Sequence, residues 1–146
     1  MPVNNCSSPS AGTGLLAVLA ETAGATLMLN ELAETRAALL SSLFPAIPVT
    51  RFDAAQIDDH LDPTAMPSVV LMKPPFSVMA NVSGRVADAA YRHVASALAR
   101  LADGGRLVTI TGAICAPELP AWRDAFVRLQ QRGRVVFTAA IDGSVY

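Results

Sequence analysis

Four short stretches of this chain carry residues whose types and order could do chemistry. The first is Ser8-Pro9-Ser10-Ala11-Gly12-Thr13-Gly14, which runs straight into an apolar, Ala-rich stretch from Leu15. Glycines let a backbone approach a ligand closely, and a helix beginning there presents unsatisfied N–H groups. No lysine follows Gly14, so the loop is not the phosphate-cradling Gly-Lys-Ser/Thr type. The second and third are Glu31 and Asp53, each closing a strand-like run. An acid in the first of these places can accept both hydroxyls of a ribose, as in dinucleotide folds, and Asp53 suits the amino group of an adenine. The fourth is Lys73-Pro74-Pro75-Phe76, directly after the apolar run Val69-Val70-Leu71-Met72. Two prolines fix the backbone and an aromatic ring can stack on a planar substrate. Each feature taken alone has a plainer reading: a strand-to-helix turn for the glycines, a charge favoured by a helix dipole for Glu31, and a helix cap for Asp53.

These residues need elements to hold them, and the chain alternates helix-like and strand-like segments. Helices are expected over Leu15–Ala23, Leu32–Leu43, Arg85–Ala102 and Pro120–Gln131, with glycines or prolines at their ends. Residues 86–101 place Val86, Ala90, Val94, Ala97 and Leu101 on one face, a clear helical period. Strands are expected over Thr26–Leu29, Val49–Phe52, Ser68–Met72, Arg106–Ile110 and Arg134–Ala140. Residues 54–67 read as a loop with one helical turn, and Ser77–Gly84 as a polar loop. Met1–Cys6 reads as a poor strand, although the glycine loop ought to follow one. Alternation of this kind implies crossover units and a mostly parallel sheet, an α/β class of Rossmann-like type, with ligands outside the carboxyl ends of the strands.

The 146 residues fit one domain spanning 1–146. Both ends read as short of a full set of elements, which suits a piece of a longer protein or a trimmed one. Eleven basic and twelve acidic residues leave a net charge of −1, with no basic block beyond a loose group of Arg123, Arg128, Arg132 and Arg134. Cys6 and Cys115 have no metal-ligand spacing and make no disulfide framework, so a reduced, cytoplasmic setting is expected. No apolar run has the length of a membrane span. His60 and His93 have no partners at ligand or triad spacing, Asp58-Asp59 reads as a solvated pair, and Arg85 and Arg92 as a solvated helix face. No metal site is expected.

Taken together, the four stretches resemble the class I S-adenosylmethionine-dependent methyltransferases. Ser8 to Gly14 is similar to that superfamily's first motif in its amino-methylating branch, where a proline precedes Gly-x-Gly. Glu31 and Asp53 stand at its second and third cofactor positions. Lys73-Pro74-Pro75-Phe76 is similar to the Asn/Asp-Pro-Pro-Tyr/Phe motif of enzymes that methylate amino nitrogens. The nearest resemblance is to the methyltransferase-like domain found with strawberry-notch-type helicases. The resemblance implies S-adenosylmethionine as cofactor, with Pro9, Ala11, Gly12, Thr13 and Gly14 at its methionine end, Glu31 at the ribose and Asp53 at the adenine. It implies a catalytic loop of Lys73, Pro74, Pro75 and Phe76 and a methyl acceptor such as a base of DNA or RNA. It also implies a helicase region attached in a longer protein. An oligomer is compatible with it, since an incomplete sheet exposes edge backbone groups.

The departure is Lys73, the only lysine of the chain. The family's Asn or Asp accepts a hydrogen bond from the target amine, whereas a lysine ammonium has donors only. Two further readings therefore stay open: a catalytically inactive cofactor-binding or scaffold module of the same fold, and a nicotinamide-dependent oxidoreductase sharing the glycine loop and Glu31.

Overall fold

The computed structural model describes residues 4–74 and 83–142, without the side chains of residues 83–85. Pro75 and Phe76 lie outside the described residues. Five strands form one sheet: β1 Asn5–Ser8, β2 Thr26–Asn30, β3 Val49–Thr50, β4 Val69–Met72 and β5 Arg106–Thr109. Their order is β3-β2-β1-β4-β5, and every pairing is parallel. All five carboxyl ends therefore open on one edge of the molecule. The chain winds outward one way from β1 to β3 and the other way through β4 to β5, so the reversal falls between β1 and β4. In open α/β sheets that crevice is where ligands settle.

Helices cover both faces, as parallel strands require. On one side α1 (Leu15–Thr22) and α2 (Glu34–Leu43) enclose Cys6, Ala17, Ala20, Leu27, Leu29, Leu40 and Phe44. On the other, α4 (Ser83–Ala99) and α5 (Pro120–Gln130) bury Val70, Met72, Ala90, Val94, Trp122 and Leu129. The short α3 (Ile57–His60) and the 3-10 turn Ala54–Gln56 before it pack along α4. There Asp58 is not a solvated loop acid: its N–H donates to Ser96 Oγ at 3.1 Å, and the Ser96 hydroxyl donates back to its carboxylate.

Two expectations are corrected. The poor strand at the N-terminus is the central one: Cys6 and Ser7 pair with Leu27 and Met28 on one side and with Val69 and Val70 on the other. A strand laddered on both edges does not depend on its own propensity, so Asn5, Ser7 and Ser8 are carried in the sheet despite their polarity. Ser8, read as loop, is that strand's last residue. The opposite error concerns Arg134–Ala140. That run has a strand's composition, yet it is neither strand nor helix and every residue of it is exposed. Alternation and β-branching mark a segment that fits a pleated surface, and they do not supply the surface. A cleft of about 230 Å³ lies under α1 between Asn4, Cys6, Leu19, Ala25 and Val69, toward the amino ends of the strands and away from the loops that matter here. No helix among the described residues is long and apolar enough to cross a membrane.

Candidate functional site

At the carboxyl edge, the glycine loop leaves β1 and enters α1. Gly12 has φ +60° and Gly14 φ +92°, both in the left-handed region that L side chains resist. The two differ in surroundings. A Cβ on Gly14 would stand 3.0 Å from Leu40 and 3.3 Å from Phe44, so this glycine lets the start of α1 press against α2. A Cβ on Gly12 would meet nothing within 4 Å, so this residue leaves open space beside the backbone. Thr13 between them is exposed, while Pro9 and Ala11 are buried.

Glu31, one residue past β2, is 4% exposed and links the loop to the next helix. Its Oε2 accepts the Gly12 N–H at 2.9 Å. Its Oε1 accepts the Ala33 N–H at 3.0 Å and two guanidinium bonds from Arg36, at 3.0 Å from Nε and 2.7 Å from Nη2. Burial is the largest single influence on this carboxyl and opposes ionisation, yet Arg36 and the two backbone N–H groups outweigh it and hold the group below its ordinary 4.5. The expected role, both ribose hydroxyls on one carboxylate, thus meets a competitor. Oε1 already has three donors; Oε2 has one and can take another.

Sequence reasoning missed the residue next to it. Asn30 is 4% exposed and its side chain makes four hydrogen bonds. Its Nδ2 donates to Pro9 O at 2.8 Å and Phe52 O at 2.9 Å. Its Oδ1 accepts from Thr50 Oγ1 and from Phe52 N–H, both at 2.8 Å. Its own carbonyl accepts the Ala11 N–H at 3.0 Å. One amide side chain therefore ties the loops after β1, β2 and β3 together. The only signal in the sequence was a polar residue closing the apolar run Leu27-Met28-Leu29.

Asp53 follows Phe52 and is exposed. Its Oδ1 accepts the Ala55 N–H at 2.9 Å, so it caps the 3-10 turn, the plainer of its two sequence readings. Behind it, His60 stacks on Phe52 with ring centroids 4.5 Å apart and planes 9° from parallel. Across the sheet's reversal point, Lys73 and Pro74 directly follow β4; Lys73 is exposed and Pro74 is fully buried. The structure thus brings Pro9, Ala11, Gly12, Glu31 and Asp53 to one hydrogen-bonded edge and sets Lys73 and Pro74 at the end of the strand beside β1. Cys6 and Cys115 are buried, and burial pushes both thiols up, the wrong direction for a nucleophile. Among the described residues no cluster of His, Cys, Asp or Glu could hold a metal ion.

The fold has solved counterparts. The sugar N-methyltransferase KedS8 from Streptoalloteichus sp. ATCC 53650 matches with TM-score 0.51 and 22% identity over 73% of this chain. This chain spans 40% of it, well under two thirds. An rRNA methylase from Streptococcus thermophilus matches with TM-score 0.59 and 12% identity, covering 87% of this chain and 68% of its own. SMU.1697c from Streptococcus mutans, a proposed methyltransferase in complex with SAH, gives TM-score 0.59, 12% identity, 88% and 72%. The chain has the Rossmann-like fold of these methyltransferases. The same core recurs in a Zn-dependent alcohol dehydrogenase assigned from Rhodobacter sphaeroides, at TM-score 0.56 and 14% identity over 75% of this chain and 41% of that one. No family model and no curated protein matches the sequence.

The residues present fit a nucleoside-bearing cofactor of the kind this fold implies. Gly12 leaves room at the backbone, Glu31 Oε2 keeps acceptor capacity, and the Ser8 hydroxyl at the root of the loop is buried with no hydrogen-bond partner among the described residues.

Proposed function

We propose that this chain is an S-adenosylmethionine-binding methyltransferase domain acting on an amino nitrogen, foremost that of a nucleic acid base. One observation carries the reading. The Gly12 loop and the Glu31 carboxylate are joined by a 2.9 Å hydrogen bond, at the carboxyl edge beside the point where the sheet reverses direction. When bound there, the cofactor supplies a methyl group on a positively charged sulfur. The chain's own part is to hold and orient. Pro9, Ala11, Gly12, Thr13 and Gly14 carry the methionine end, Glu31 the ribose and Asp53 the adenine. Pro74, Pro75 and Phe76 fix and stack a planar acceptor, which the family motif supports and which lies partly outside the described residues. The rRNA methylase and the sugar N-methyltransferase among the fold neighbours are consistent with an amine or RNA acceptor without selecting one.

Lys73 favours a second reading, a module that binds the cofactor and does not transfer the methyl group. An ammonium at the acceptor position offers donors only, and it opposes the positive charge that builds on an attacked nitrogen.

Isothermal titration of the folded chain with S-adenosylmethionine, S-adenosylhomocysteine and NAD+ separates these readings from the oxidoreductase. Binding of the first two with micromolar affinity, about −8 kcal/mol, and none of NAD+, is expected. Absence of any heat with the first two, in a sample folded by circular dichroism, would sink the proposal. Transfer of labelled methyl to DNA or RNA by the unmodified chain supports the enzyme; transfer only after Lys73→Asn supports the inactive module.

A further inference from the structure

Residues 134–142 read Arg-Val-Val-Phe-Thr-Ala-Ala-Ile-Asp, and this run is exposed from end to end. Val136 is 66% exposed, Phe137 79% and Ile141 58%. A stretch with β-branched and aromatic residues, no proline and no partner strand among the described residues is a strong template for pairing. Its order is also self-complementary. Laid antiparallel on itself about Thr138, the run sets Arg134 opposite the second copy's Asp142, Val135 opposite its Ile141, Val136 opposite its Ala140 and Phe137 opposite its Ala139. Thr138 meets Thr138. Opposite charges and Thr–Thr pairs directly across a ladder are favourable, and a large residue facing a small one packs without crowding. Val135, Phe137, Ala139 and Ile141 share one face of such a strand, and the two charged ends share the other.

We infer that two copies of this chain associate about a two-fold axis by antiparallel pairing of residues 134–142. The contact is isologous and therefore closes at two copies, whereas a head-to-tail edge contact would run on into filaments. Asp142 already makes a contact within its own chain, so the intermolecular pair exchanges one partner for another. A two-stranded ribbon is marginal by itself in water. The association is therefore concentration-dependent and draws on the shared apolar face closing against the two bodies.

Sedimentation velocity on the full chain tests this. A monomer–dimer equilibrium across about 1–100 µM is expected. Thr138→Pro removes a ladder donor from a segment with no regular structure in the monomer, so it abolishes the dimer and leaves circular dichroism and the melting temperature unchanged. Arg134→Asp sets like charges opposite each other at both ends and weakens the dimer at least tenfold. Arg134→Asp with Asp142→Arg in one chain restores the pairs and the dimer. A monomer at every concentration, a dimer that survives Thr138→Pro, or a double variant no better than Arg134→Asp alone overturns the inference.

Discussion

Glu31 shows how much a single carboxylate can organise. It is nearly buried, and its two oxygens collect donors from the glycine loop, from the start of α2 and from Arg36 within that helix. Its pKa is depressed in the fold, so the unfolded chain takes up the proton more readily. Its stabilising contribution is complete above its ordinary 4.5 and is lost as pH falls from there through its folded value. Glu31→Gln removes the ion pair and turns a donor amide toward groups that are themselves donors. A loss of about 1–3 kcal/mol at pH 7 is expected, with a shallower decline of stability below pH 4.5 than the parent shows; urea denaturation at both pH values measures it. The residue was legible in the sequence because an acid between an apolar strand and a helix is conspicuous. Arg36 was not: nothing local says that an arginine in the first turn of α2 folds back onto that acid and fills one of its two oxygens.

Among the elements, the connections at the carboxyl edge matter most, and Asn30 makes them one body. Asn30→Ala strands the Phe52 N–H and the Phe52 and Pro9 carbonyls, and leaves the Thr50 hydroxyl only its longer bond to the Leu29 carbonyl. A cost of about 2–4 kcal/mol is expected, with amide exchange at Phe52 accelerating in step. If exchange at Phe52 stays at the parent rate, the three loops are not coupled through this side chain. Helices and strands with a clean period were legible: β2, β4 and β5 lie within a residue or two of where apolar runs place them, and α5 begins at the proline that marks it. The expected third strand shrinks to Val49–Thr50 because Phe52 is held by the Asn30 side chain and not by a ladder. The central strand read as a poor one because its place is fixed by neighbours on both edges, and Ser7 and Ser8 carry no apolar signal of their own. Such pairings are tertiary facts, invisible to any local window.

For the molecule as a whole, acid sensitivity should begin well above the carboxylate range. His93 of α4 is half buried and its Nδ1 has no hydrogen-bond partner among the described residues. Burial lowers its pKa from 6.5, and the Asp53 carboxylate only partly offsets this. A histidine held neutral in the fold and free to charge in the unfolded chain gives full stability above pH 6.5 and a decline as pH falls from there toward its folded value. His93→Leu flattens that limb, measured as melting temperature against pH; an unchanged slope would remove His93 as its source. The sheet itself carries another consequence. Its centre, β1, is made first, yet its partner β4 comes only after α1, β2, α2 and β3 have been built, since Cys6 must find Val69. Among the described residues no strand pair closes through a hairpin. Folding therefore waits on distant closures, which makes it slow for its size. On a ribosome, one edge of the central strand stays open until β4 has left the exit tunnel.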